Sequence, residues 1–321
     1  MLLYTLRRIL IMIPILVMIS IVVFALALAM PGDALSGQID PANSDPAYIE
    51  EQRERLGLND PIHQQYLSWA GGILQWDFGR SFNYKMDVTE LIGQRLPNTI
   101  LLSIMSLIIT YILAFFMGKY AGRHPYSIGD YGIQGLNYLM LAIPSFVAAI
   151  FAIFFFAFTL GWFPATGSIG SGVTPGTMEY WISKIQHTAL PALVLGMLTT
   201  ASYTQFLRND IIESSQKDYV RTARAKGTPE NRIYNKHILR NSVIPIITLF
   251  GFDIASIIGG SVIIETIFTY PGIGELLISS INNRDSSVVI AITLMLSIAT
   301  LVGNLIADLV YGVVDPRIRV E

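Results

Sequence analysis

Asp253 and Asp308 are the only charged residues inside the long apolar runs of this 321-residue chain. A carboxylate at mid-membrane costs about 3 kcal/mol unless it meets water or a partner, so Asp253 is expected to face a polar pathway or an interface. Asp308, at the end of the last run, reads as structural. Two isolated carboxylates do not make a hydrolytic site, which needs a nucleophile with its base. With no cysteine, disulfides, thiol catalysis, iron–sulfur clusters and thiolate metal sites are excluded. Four scattered histidines, His63, His124, His187 and His237, leave an imidazole metal centre little material. No GxxxxGK[ST] phosphate loop is present, so the chain does not bind ATP in that manner.

The elements around these residues are membrane spans. The chain is 52% hydrophobic and 14% charged, far more apolar than a soluble domain of its size. Residues 9–30 form an uncharged run of about 22, roughly 33 Å as a helix, enough to cross a hydrocarbon core. Five further spans are expected at 100–118, 131–159, 188–207, 243–264 and 288–312. No barrel alternation is seen, so the fold class is all-α with six transmembrane helices. About 14 of the 21 Lys and Arg fall in segments 1–8, 119–130, 208–242 and 313–321, which places both ends in the cytoplasm. The first run is too long for the apolar part of a cleavable signal peptide.

The outer segment 31–99 is the longest connection. Asp45 and Pro46 read as the cap and first position of a short helix that stops at Gly57. Its aromatic residues, among them Tyr48, Tyr66, Trp69, Trp76 and Phe78, suit a partner's surface or a belt against lipid headgroups equally well. Segment 160–187, rich in Gly and Pro, is expected to be an irregular connector.

In the fifth run Gly251, Ala255 and Gly259 recur every four residues, the small-residue stripe of close helix packing in lipid. Asp253, Ser256 and Gly260 lie on the other side.

Segment 208–242 is far longer than a turn between spans requires and carries eight basic and four acidic side chains. Ser214 to Lys226 reads as a helix, Gly227 as its left-handed stop, Thr228 as an N-cap and Pro229 as the first position of a second helix. A DNA-reading helix-turn-helix fails on context, because both ends are tethered to spans. Anchoring under anionic headgroups accounts for Arg208 and Arg240. It leaves unexplained the small residues Ala223, Ala225 and Gly227, which suit close approach of another protein.

The run Asp218-Tyr219-Val220-Arg221-Thr222-Ala223-Arg224-Ala225-Lys226-Gly227, with His237-Ile238-Leu239-Arg240-Asn241-Ser242-Val243-Ile244-Pro245, resembles the ATPase-coupling loop of permeases of binding-protein-dependent ABC importers, specifically the peptide and nickel group. The general motif has a Glu-Ala-Ala triplet where Arg221-Thr222-Ala223 stands and a proline where Arg240 stands; both departures match the peptide subgroup. Further matches are Pro31-Gly32-Asp33, Leu56 to Ile62 with Tyr66 and Trp69, Asp77-Phe78-Gly79-Arg80-Ser81, Arg95-Leu96-Pro97-Asn98-Thr99, Glu265 to Gly274, Arg284-Asp285 and Val314 to Arg319.

The resemblance implies a type I ABC importer permease fold in the cytoplasmic membrane. Residues 1–30 would hold the first span, 31–99 the extracellular segment, and 100–321 a five-helix core with the coupling loop 208–242. It implies a non-catalytic subunit that works with a sister permease, two ATPase subunits carrying ATP and magnesium, and an extracellular peptide-binding protein. No cofactor is expected on this chain. Asp218, Tyr219, Arg221, Ala223, Lys226 and Gly227 are the expected ATPase contacts. Asp253, Ser256 and Gly260 are candidates for the translocation pathway, Asp253 either guiding a peptide's amino end or bonding a neighbouring helix. Glu265, Pro271, Gly272 and Gly274 are candidates for an outer gate or binding-protein contact. Nickel or glutathione cargo is the nearest rival. A secondary transporter would show inverted repeats or broken helices with several membrane charges, which the sequence does not announce.

Overall fold

The computed structural model describes residues 2–29, 45–55, 57–81, 83–246, 249, 253, 257 and 261–314. Among these there is no strand, only an isolated bridge between Arg80 and Asp87. Among the described residues four helices are long and apolar enough to cross a membrane: α1 (Leu2–Ala29), α4 (Val88–Arg123), α7 (Met178–Ser215) and α12 (Ser286–Val314). Two short outer helices follow α1, α2 (Pro46–Arg55) and α3 (Ile62–Leu74). As expected, Asp45 Oδ1 accepts from the Ala47 N–H and the chain turns at Gly57, φ +64°.

The expected third span is broken. α5 (Ile128–Ala142) and α6 (Ser145–Ala152), which runs on as a π-helix over Ile153–Thr159, meet at 102°. Pro144 is the reason: its ring pushes the preceding residue out of the helical region, and Ile143 is extended at φ −82°, ψ 122°. A broken helix is therefore present where none was expected. The fourth span is longer than expected, because α7 already starts at Met178, capped by Thr177. The irregular outer connector is correspondingly shorter. Of the expected fifth span, Asp253 and Ile257 are described and helical, whereas Ser256, Gly260 and the stripe Gly251, Ala255 and Gly259 lie outside the described residues. Beyond it come α10 (Val262–Ile267) and α11 (Ile273–Asn282).

α4 and α7 form the spine. Small residues on α4 let the backbones approach closely: a Cβ on Gly118 would lie 2.9 Å from the Leu207 Cβ, and one on Gly122 would lie 2.8 Å from the Ile211 Cβ. Further out, Gly196 of α7 accepts from the Thr110 hydroxyl of α4 at 3.0 Å and its own Cβ would meet Ile109. α1 stands outside this spine against α12, and Arg8 pairs with Asp308 at 3.2 Å. That pair gives Asp308 a structural role and sets the N-terminal end of α1 beside the C-terminal part of α12, so the two lie on the same side.

Candidate functional site

The cytoplasmic segment is built from α8 (Asp218–Ala225) and α9 (Glu230–Ile233), the latter continuing as a π-helix over Tyr234–Leu239 and ending at Arg240–Ser242. The single helix expected from Ser214 is divided: α7 ends at Ser215, and Lys217 is extended before α8 begins. At the other end of α8, Gly227 takes φ +72°, its N–H bonds the Arg224 carbonyl at 2.9 Å and the Thr228 N–H reaches back to the Ala223 carbonyl at 3.2 Å. These two bonds close the last turn and require a left-handed residue between them. The second helix starts one residue later than expected. The Pro229 carbonyl accepts from Arg232 and Ile233, so Pro229, not Thr228, is the N-cap.

α8 has one apolar side. Val220 and Ala223, three apart, turn inward onto Leu207, Ile211, Ile233, Tyr234 and Ile238. Ala223, expected to touch a partner, is only 9% exposed, and its methyl belongs to this core. Asp218, Tyr219, Arg221 and Lys226 are exposed as expected, together with Thr222, Arg224 and Ala225. Ala225 and Gly227 are the small exposed residues at the turn, and nothing stands within 4 Å of the space where a Gly227 Cβ would go. Arg224 clamps Glu230 across the turn, Nη2 to Oε1 at 2.7 Å, which holds the Glu230 carboxyl below its ordinary range.

The unit is bolted to both spine helices. Tyr234 donates to the Lys119 carbonyl of α4 at 2.9 Å, and the Arg123 guanidinium lies 4.8 Å over the Tyr234 ring while bonding Asn231 Oδ1. Leu207 and Ile211 of α7 sit in the same core as Val220 and Ile233. Arg208, expected under lipid headgroups, instead turns inward to Asp130 at the start of α5, and its side chain is only 15% exposed. A buried carboxylate holds it there, because Asp130 left without a countercharge would be costly.

At the outer end two of the quoted motifs meet. Glu265 is fully buried; Oε1 accepts from the Thr99 hydroxyl at 2.9 Å, and Oε2 accepts from the backbone N–H groups of Gly274 at 2.7 Å and Glu275 at 3.2 Å. Its carboxylate caps α11, whose first amides otherwise lack partners. Gly272 and Gly274 permit this: a Cβ on Gly272 would fall 2.4 Å from the Glu265 carboxyl carbon, and one on Gly274 would fall 2.6 Å from the Val262 Cα. The Pro271 carbonyl accepts from Asn98, and the Tyr270 hydroxyl bonds the Asn98 carbonyl of α4 at 3.2 Å and Thr188 of α7 at 3.0 Å. Glu265, Gly272 and Gly274 thus hold the turn together and offer no charged side chain to the outside. A second pair of motifs closes nearby, where Ser81 donates to the buried Asp285.

Midway between the two ends, Asp253 accepts from Tyr203 of α7 at 2.7 Å and from Tyr111 of α4. This is the interhelical bond considered for it, and it ties the fifth segment to both spine helices. The signals for Gly118 and Gly122, a pair of glycines four apart, and for the kink at Pro144 were present in the residues. The partnership of Arg208 with Asp130, separated by 78 positions, had no local signal.

Residues 111–320 match the profile of binding-protein-dependent transport system inner membrane components, and residues 1–105 match that of the N-terminal part of such membrane components. The oligopeptide transport system permease protein AppB of Bacillus subtilis is 44% identical over 98% of this chain and 99% of its own. A putative peptide permease protein of Brucella ovis is 35% identical over the whole of both chains. The di/tripeptide transport system permease protein DppB of Pseudomonas aeruginosa is 32% identical over 98% of this chain and 97% of its own.

Proposed function

We propose a role that proceeds from family membership: the chain belongs to the inner membrane components of binding-protein-dependent transport systems, multi-pass subunits of the cytoplasmic membrane. It is the permease subunit of an ATP-driven importer that moves oligopeptides or dipeptides inward, a cargo supported by the names of relatives aligned along nearly its whole length. Two cytoplasmic ATPase subunits, binding ATP and magnesium, supply the energy. A sister permease completes the passage and an external binding protein delivers peptide.

One observation carries the mechanism. The helices that hold the exposed face of α8, through Lys119, Arg123, Leu207 and Ile211, are the same two that hold the outer turn, through Asn98, Thr99 and Thr188. Asp218, Tyr219, Arg221, Lys226 and Gly227, with Thr222 and Ala225, seat in a groove on one ATPase. When the ATPase pair closes, Val220 and Ala223 press on the spine, and α4 and α7 shift together against the outer turn. Asp253 keeps the fifth segment in step through Tyr111 and Tyr203.

The test is reconstitution with the sister permease, both ATPases and the binding protein. Peptide delivery should stimulate ATP hydrolysis and vesicle uptake, and a cysteine at Ala225 should cross-link to an ATPase. Uptake by this subunit with no ATPase attached would overturn the reading.

A further inference from the structure

We infer that α3 is embedded in the outer headgroup layer of the bilayer, with lipid as the occupant of its exposed apolar face. The inference needs only the membrane placement of α1 and is independent of cargo. None of the thirteen residues of α3, IHQQYLSWAGGIL, is an Asp, Glu, Lys or Arg, in contrast with the highly charged α2 before it. Its depth is fixed by α1: Tyr66 and Trp69 pack on Phe24 with ring centroids 5.5 and 5.3 Å away, and the Tyr66 hydroxyl bonds Ser20 at 2.8 Å.

Phe24 and Ser20 lie inside the apolar span Thr5–Leu26. At 1.5 Å per residue they are about 3 and 9 Å short of its outer end. The side of α3 that touches them is therefore at the boundary of the hydrocarbon, not raised above it in water.

On the side away from α1, Leu67 is 65% and Leu74 is 84% exposed, and two turns of helix put them on one stripe. Ile21, Val22 and Leu26 of α1, at the same level of the span, are exposed apolar side chains as well. Tyr66, Trp69 and the exposed Trp76 just beyond the helix supply the amphipathic rings that favour the headgroup region. With one side held at the hydrocarbon boundary by Phe24 and Ser20 and no charged side chain anywhere on it, α3 suits lipid better than a binding protein that docks from water.

The absence of cysteine makes the test direct. Spin labels are placed singly by Leu67→Cys, Leu74→Cys and, on α2, Glu51→Cys in the transporter assembled in lipid nanodiscs. Relaxation is compared between oxygen, which partitions into lipid, and a water-soluble nickel chelate. Labels at 67 and 74 should favour oxygen several-fold over the label at 51. Nickel dominance at 67 and 74 would mean water, and exclusion of both reagents would mean a protein partner; either overturns the inference. If the labels prevent assembly, a Trp162→Phe, Trp181→Phe chain leaves Trp69 and Trp76, whose fluorescence brominated lipid should quench. Unquenched emission would likewise overturn it.

Discussion

Arg208 grips both oxygens of Asp130, Nε on Oδ1 and Nη2 on Oδ2, each at 2.7 Å. The carboxylate also accepts from the Tyr126 N–H at 2.8 Å and is 1% exposed, so little of its charge is left to water. The pair fixes the start of α5 to the end of α7, directly beside Leu207 of the core that seats α8.

Breaking this pair from one side should cost more than removing it whole. Arg208→Ala strands a buried charge, at about 3–5 kcal/mol. Adding Asp130→Asn to it should recover part of that loss. Thermal unfolding of the solubilised complex reads both, and equal losses in the single and double variants would show that the pairing contributes nothing.

Gly227→Val should leave insertion intact and abolish peptide-stimulated ATP hydrolysis. A left-handed conformation costs a side-chain-bearing residue about 1–2 kcal/mol, and a β-branched one more. The turn would open and the exposed face of α8 would change direction. Wild-type coupling in that variant would discard the assignment of this turn.

Gly122→Val should separate α4 from α7, because its Cβ would meet the Ile211 Cβ at 2.8 Å. Overpacking of this kind costs about 1–3 kcal/mol. Gly93 on the same helix has open space around it. Gly93→Ala should therefore be neutral or raise stability by about 0.5–1 kcal/mol. The Gly122 variant should unfold at a lower temperature than the wild type, and the Gly93 variant at the same or a higher one.

Glu265→Ala removes the acceptor for Thr99, Gly274 and Glu275. Leaving buried donors unpaired costs about 1–3 kcal/mol for each group. Limited proteolysis should then cut between Tyr270 and Glu275, where the wild type resists. Gly272→Ala should have a similar effect by pressing on the same carboxylate. Full resistance in both would show that the turn is held by other contacts.

Tyr203→Phe and Tyr111→Phe each remove one hydroxyl from Asp253, and the double variant should lose transport more than the two single losses combined. Asp253→Asn, which keeps the shape and both tyrosines, separates the two readings of this residue. Normal import of every peptide length by Asp253→Asn would leave it with a purely structural bond.

The all-α class and the glycine stops at Gly57 and Gly227 were legible because each rests on local chemistry: apolar length and a left-handed turn. The facing of Ala223 was not, since a small residue suits a core and a contact alike until Val220 shows which side of α8 is inward. The motifs at 95–99 and 265–274 could be read separately, but only the fold brings Thr99 to Glu265 across 166 positions. The break at Pro144 was masked by the apolar residues on both sides, which made two crossing helices look like one long run.

The 102° elbow at Ile143 and Pro144 restricts how far a displacement can travel along that part of the chain. A push along α5 is spent as a sideways swing of α6, whereas α4 runs 36 residues without a break. At 1.5 Å per residue that is a rod of about 54 Å, so tilting it by roughly 10° about its centre sweeps each end through about 5 Å. A stroke of that size exceeds the reach of any hydrogen bond at the Glu265 turn, and the cycle must therefore either carry that turn along with the rod or break it loose.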